Sequence, residues 1–176
     1  ITNVESFNFN GNTVATSTLI NHFYFSGNAD QYTFTNNGNG TYTVTGPGGP
    51  QNIQNGNIMH FADKDYSMTA GAIVGSTGSD VMVGGAGNEI LQGGNSNDSL
   101  TGGAGNDNID AGGGDDVITE GDGNDTIEGG TGNDTVVFRG NIGDYTIVNN
   151  ANGSFTVTDN TPGRDGISTI TNVESF

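Results

Sequence analysis

The sequence predicts an all-β chain, a parallel β-helix of short repeats flanked by β-rich antiparallel capping segments. Two internal repeats and the lack of any helical pattern predict it. The short repeat fills Gly75 to Val137 with seven nonapeptides: GSTGSDVMV, GGAGNEILQ, GGNSNDSLT, GGAGNDNID, AGGGDDVIT, EGDGNDTIE and GGTGNDTVV. Their sixth place is Asp80, Glu89, Asp98, Asp107, Asp116, Asp125 and Asp134, and their eighth is Met82, Leu91, Leu100, Ile109, Ile118, Ile127 and Val136. The long repeat relates Phe25–Thr45 to Phe138–Thr158, with 12 identities in 21 ungapped positions. No stretch of ten residues carries the apolar period of an amphipathic helix.

Four segments follow in order. Residues 1–20 read as the tail of an upstream repeat unit, because Ile1 to Phe7 (ITNVESF) returns letter for letter as Ile170 to Phe176. Residues 21–73 read as a β-rich flanking and capping unit at the N-terminal end of the array, covering a first strand that would otherwise invite edge pairing. In it Tyr32–Thr35 and Thr41–Thr45 alternate aromatic or β-branched residues with Thr, around an Asn/Gly turn. Asn57-Ile58-x-x-Phe61 is a weaker copy of the Asn-Val-x-x-Phe ending. The array occupies 74–137, and 138–176 is a closing β cap with strands at Tyr145–Val148 and Ser154–Thr158.

A nonapeptide divides into a six-residue turn and a three-residue strand. The turn needs Gly where its backbone takes positive φ or closely approaches a ligand. In the strand the eighth residue points inward and its neighbours outward. Two nonapeptides complete one coil, so turns i and i+2 stack on one edge, about 4.8 Å apart. Neighbouring carboxylates at that spacing repel by roughly 3 kcal/mol at an effective dielectric near 20. A divalent cation between turns reverses the sign. Carboxylate and carbonyl oxygens form a hard site suited to Ca²⁺ rather than Zn²⁺ or copper, and less suited to Mg²⁺, which wants tighter octahedral geometry. Folding is therefore expected to be coupled to calcium.

Charge narrows the partners further. The net charge is −17, with Lys64, Arg139 and Arg164 the only Lys or Arg, which argues against nucleic acid and anionic membrane surfaces. Without Cys, thiolate metal sites and disulfides are excluded. No apolar run is long enough to span a bilayer.

The array resembles the RTX, or hemolysin-type calcium-binding, repeat G-G-x-G-x-D-x-U-x. The resemblance implies a right-handed parallel β-roll (RTX β-helix) with each ion between turns i and i+2. It also implies the ligands: carbonyls from the second and fourth places of the earlier turn and the first and third of the later one, plus both acids. Carried onto this sequence, one site takes Gly112, Gly114 and Asp116 with Gly129, Thr131 and Asp134. A second takes Gly103, Gly105 and Asp107 with Glu120, Asp122 and Asp125, and a third Gly94, Ser96 and Asp98 with Ala111, Gly113 and Asp116. The first coils supply Ser76, Gly78 and Asp80 with Gly93, Asn95 and Asp98, and Gly85, Gly87 and Glu89 with Gly102, Ala104 and Asp107. Five ions would bring −17 to about −7. Ser96 stands where Gly is expected and is expected to strain its turn; Glu89 is one methylene longer than Asp; Ser76, Ala111 and Glu120 replace Gly.

Other readings are weaker. His22 and His60 read as isolated from one another, in packing or surface roles, and Asp115 and Asp122 as off-ladder side chains in solvent, with Asp122 able to assist a site. No catalytic motif is present, so no enzyme activity is expected of this segment. The third turn places form no rank of Thr, which argues against ice binding. The resemblance implies a calcium-folded structural module of a larger exported bacterial protein, passing out by type I secretion to the exterior or cell surface. Its partners would be calcium and other domains of the same long chain, and the isolated piece would be monomeric. The alternatives are a repetitive adhesin, surface-layer or biofilm segment whose caps bind a partner, or an accessory module of a secreted hydrolase or epimerase.

Overall fold

The computed structural model describes residues 6–9, 12–15, 22–39, 41–54, 57–69 and 72–176. Most of the opening ITNVESF and much of the expected upstream tail lie outside them; within that stretch β1 (Ser6–Phe9) and β2 (Asn12–Ala15) pair antiparallel. No α-helix occurs among the described residues.

The nonapeptide period sets the centre of the molecule. Its strands are β10 (Val81–Val83), β11 (Ile90–Asn95), β12 (Ser99–Ala104), β13 (Asn108–Gly113), β14 (Val117–Asp122), β15 (Thr126–Thr131) and β16 (Thr135–Val137). Successive strands fall on opposite walls. One wall runs β10-β12-β14-β16, and the other contains β11, β13 and β15, all parallel and each 18 residues on from its neighbour. Each wall stacks like residues: Met82 on Leu100, Ile118 and Val136, and Leu91 on Ile109 and Ile127. Those seven eighth-place side chains are fully buried and form the core the spacing predicts. One inward apolar residue per strand makes the core thin, and stacking makes it continuous.

Both flanks extend the second wall. Upstream, β3 (His22–Tyr24), β7 (Ile58–His60), β8 (Asp65–Thr69) and β9 (Ala72–Val74) lead in, and β9 sets Ile73 beside Leu91. Downstream, β17 (Tyr145–Asn149), β18 (Phe155–Asp159) and β19 (Ile167–Thr171) lead out, and β19 sets Ile170 beside Ile127. Ile73 and Ile170 are buried like the array positions they continue. A three-stranded antiparallel sheet, β4 (Thr33–Asn36), β5 (Thr41–Thr45) and β6 (Gln51–Gln54), bridges to the first coil through Phe34 and Gly84. Its Phe34 and Tyr42, with Tyr32 just before it and Phe61, Tyr66 and Met68, enlarge the core there.

Pairing of β3 with β7 and of β7 with β8 changes one expectation. His22 and His60 share a 2.7 Å hydrogen bond, and His60 meets Asp65 at 2.8 Å. They are neighbours because their strands are, although 38 residues separate them.

Candidate metal centre

The turns carry the acids, and backbone conformation decides what those acids can reach. From the third turn on, the second and fourth places take positive φ: Gly94 and Ser96, Gly103 and Gly105, Gly112 and Gly114, Gly121 and Gly123, Gly130 and Gly132. Ser96 takes φ 99 without the freedom of glycine, so the strain read from its sequence position is present. Ser76, Gly78, Gly85 and Gly87, the matching places of turns one and two, are not among the positive-φ residues.

All seven sixth-place acids are buried. One oxygen of each carboxylate from turns three to seven accepts the backbone N–H of the acid two turns earlier. Asp80 donates to Asp98 (2.8 Å), Glu89 to Asp107 (2.8 Å), Asp98 to Asp116 (2.7 Å), Asp107 to Asp125 (2.8 Å) and Asp116 to Asp134 (2.9 Å). The cap continues both ladders: Ser168 Oγ accepts from Asp125 at 3.3 Å, and Glu174 Oε2 from Asp134 at 2.8 Å.

The second carboxylate oxygen separates the turns into two groups. Oδ2 of Asp98, Asp107, Asp116, Asp125 and Asp134 is buried without a hydrogen-bond partner, as is Oε2 of Glu120. A buried unsatisfied polar atom costs about 1–3 kcal/mol, and more when charged. In turns one and two the protein supplies partners. Asp80 accepts from Ser76 N at 2.7 Å and Ser76 Oγ at 2.9 Å and pairs with Lys64 at 3.3 Å. Glu89 accepts from Asn36 N at 2.6 Å and Gly85 N at 3.0 Å.

Three of the orphaned oxygens face carbonyls across a glycine. A Cβ added to Gly93 would meet both Asp98 Oδ2 and Ala111 O, and one added to Gly102 would meet Asp107 Oδ2 and Glu120 O. At Gly129 it would meet Asp134 Oδ2 and Asn172 O. The first-place glycine thus keeps clear a space between a carboxylate oxygen and a carbonyl of the next layer, the first-place one two turns on or, at Gly129, that of Asn172 in the cap. Ala111 and Glu120 are the first-place residues that do carry a side chain; both are buried. Among the described residues no three His, Asp or Glu side chains gather into a metal cluster. The oxygens brought together are one carboxylate and main-chain carbonyls, which fit a hard divalent cation.

The other residues of the expected ligand sets lie along the same two edges. Gly94 and Asn95 register with Gly112 and Gly113, which register with Gly130 and Thr131; Gly103 and Ala104 register with Gly121 and Asp122. Some of their carbonyls also carry ladder bonds: Gly85 O takes Ala104 N, Gly113 O takes Ser96 N, Asp122 O takes Gly105 N and Thr131 O takes Gly114 N. A carbonyl oxygen has two lone pairs, so such a bond leaves one free.

Burial pushes the acids up, through desolvation first and like-charged neighbours after the hydrogen bonds that oppose it. Asp98 rises to about 6, Glu89 and Asp125 to about 7 and Glu120 to about 8. Desolvation also raises Asp107, Asp116 and Asp134. Protein cations stand at the array's ends. Arg139 bridges Asp122 and Asp165 in the cap, while Lys64 holds Asp80. Asp122 is therefore an ion-pair partner while its side chain stays half exposed.

Sequence reading missed the fifth turn place. Oδ1 of Asn88, Asn97, Asn106, Asp115 and Asn124 accepts an N–H from the next turn on its edge, at 2.8–3.0 Å. Asp115 is thus a rung of this ladder, and the run of Asn and Asp at that place was the available signal. Ser168 and Glu174 gave no such signal, because 138–166 interrupts the period before them.

The family comparison agrees with this geometry. The RTX calcium-binding nonapeptide repeat matches in four copies, over residues 72–95, 83–118 and 121–144. The segment is an RTX array. Among solved structures, the extracellular lipase LipA from Serratia marcescens resembles 56% of this chain at 21% identity and a TM-score of 0.26, over 14% of its own length. No curated protein matches. The RTX array here is a β-roll, and RTX repeats bind calcium.

Proposed function

We propose that the chain is a structural module whose roll is completed by calcium bound between stacked turns. The observation that carries this reading is the row of buried, unpartnered carboxylate oxygens from Asp98 to Asp134. The inner pairs of turns are the best-supported seats: Asp98 with Ala111, Gly113 and Asp116; Asp107 with Glu120, Asp122 and Asp125; and Asp116 with Gly129, Thr131 and Asp134. Carbonyls of Gly94, Ser96, Gly103, Gly105, Gly112 and Gly114 complete those sets. The two first seats, reaching back to Asp80 and Glu89, are weaker because protein donors already meet those acids. Bound calcium would supply positive charge where the fold leaves buried negative oxygen.

The unit fits a larger exported bacterial protein that folds after reaching calcium outside the cell. An adhesive or surface-layer segment is compatible with the repetition of Phe25–Thr45 at Phe138–Thr158. Far-ultraviolet circular dichroism during a calcium titration, with magnesium as control, tests the reading. A cooperative gain of β signal at roughly 10⁻⁴ to 10⁻³ M calcium is expected, as for extracellular calcium modules. A full β signal in chelator that calcium leaves unchanged would refute it.

A further inference from the structure

The two long repeats fold alike, element by element. Each has a short 3-10 turn after an Asn with a capping box, Ala29–Gln31 in one and Ile142–Asp144 in the other. Each then places a Tyr whose hydroxyl accepts a glycine N–H, from Gly27 to Tyr32 and from Gly140 to Tyr145. An antiparallel hairpin follows, β4–β5 or β17–β18. Each copy closes on a Phe, Phe61 or Phe176, packed near the Phe that opens it, Phe25 or Phe138.

Their surroundings differ. In the first copy Ala29 is 1% exposed, Phe34 0% and Phe61 7%; their counterparts Ile142, Ile147 and Phe176 are 83%, 40% and 46% exposed. What covers the first copy is the chain just after it, within residues 62–69 and 72–84. Ala62 N donates to Gly27 O, Asp63 accepts from Ala29 N at 2.8 Å, Tyr66 packs on Phe34 and Phe61, and Gly84 bridges Phe34. On the second copy the corresponding face is an open groove of about 280 Å³ lined by Val137, Phe138, Ile142, Ile147, Val157 and Phe176.

We propose that this groove seats a segment like residues 62–84, the β8–β9 pair followed by a first roll strand, with a Tyr and a Met facing inward, that opens a further repeat unit. The second copy is already joined to a roll on its other side, where β19 pairs with β15. It would then stand between two rolls, with one of its two joints formed in this structure and the other formed, in the first copy, by the same chemistry. Apolar residues this exposed and this clustered mark an interaction surface, and the covered copy in the same chain shows the shape of its occupant.

The test extends the full chain after Phe176 by a second copy of residues 62–84 and follows hydrogen exchange in calcium. The appended copies of Tyr66 and Met68 are expected to exchange on the order of tenfold slower or more than in a free peptide. Ile142→Asp with Ile147→Asp should abolish that protection; both side chains are exposed without the extension, so the roll's own protection should persist and report folding independently. Exchange of the appended segment at free-peptide rates, or protection that survives the double substitution, overturns the proposal. So does dimerisation of the unextended chain that the same two substitutions abolish, which would assign the groove to a second copy.

Discussion

Turns one and two obey the same nonapeptide rule as turns three to seven, yet their acids end in opposite states. In turn one, Ser76 N points at the carboxylate of Asp80, and in turn two Gly85 N points at Glu89. In the later turns the second-place backbone rotates into positive φ, and the partner oxygen is left bare. Protein groups from outside the array, Lys64 on Asp80 and Asn36 on Glu89, complete the first two turns. The lesson is that the motif specifies a carboxylate in the turn, while turn conformation and neighbours specify whether the protein or an ion satisfies it.

The largest expected contrast separates Asp116 from Asp80. Asp116 is shared by two of the proposed seats, and its Oδ1 also accepts from Asp98 N. Asp116→Ala should raise the calcium midpoint of folding by about tenfold or more, since loss of a charged buried partner is worth roughly 1.5–3 kcal/mol. Asp80→Asn should move it less, by no more than about fivefold, because asparagine keeps an oxygen to accept from Ser76 N and the change leaves the inner seats intact. Calcium titrations of the two variants by circular dichroism decide it, and equal shifts would erase the distinction between the two groups of turns.

Next in size is a glycine comparison. Gly105 has φ +125, and a Cβ there would collide with Gly87 O, whereas Gly78 has open space within 4 Å. Gly105→Ala should destabilise the calcium-bound roll by about 1–3 kcal/mol, and Gly78→Ala by less than about 0.5 kcal/mol. Urea unfolding in saturating calcium measures both.

Acidity acts on the later turns with opposite signs in the two metal conditions. Folded-state values raised to about 6 for Asp98, about 7 for Asp125 and about 8 for Glu120 mean that the folded chain without calcium binds protons more tightly than the unfolded chain. Its stability from these groups is full below about pH 4 and lost as pH rises through the 6–8 window. In chelator, β signal should therefore grow on acidification from about pH 8 to about pH 5. Calcium competes with the same protons, so its midpoint concentration should fall as pH rises over that range. A calcium midpoint independent of pH would contradict the assignment of these carboxylates.

The smallest effect sharpens the same contrast. Ser96 is the one non-glycine at a positive-φ fourth place, so Ser96→Gly should stabilise the roll by about 1 kcal/mol in calcium, seen as a higher urea midpoint.

Much of this was legible in the chain. The nine-residue period fixed the inward residues from Met82 to Val136, because a core one residue wide leaves no other place for them. The repeat of Phe25–Thr45 located both hairpins. Contacts between segments distant in sequence were not legible. The pairing of His22 with His60 and the reach of Asn36 to Glu89 depend on how the N-terminal strands fold back. Ile170, Ser168 and Glu174 continue the roll's core and ladder from outside its period, so no spacing announces them. The rotation of the second-place backbone after turn two is equally silent, since Gly85 and Gly94 are the same letter in different conformations.

The most direct measurement is crystallographic: crystals grown in calcium, with ions located by anomalous scattering. Ions beside Oδ2 of Asp98, Asp107 and Asp116, with weaker or no density beside Asp80 and Glu89, are the expected result. An array with no ion at those three oxygens, or with ions confined to the first two turns, would contradict the central claim.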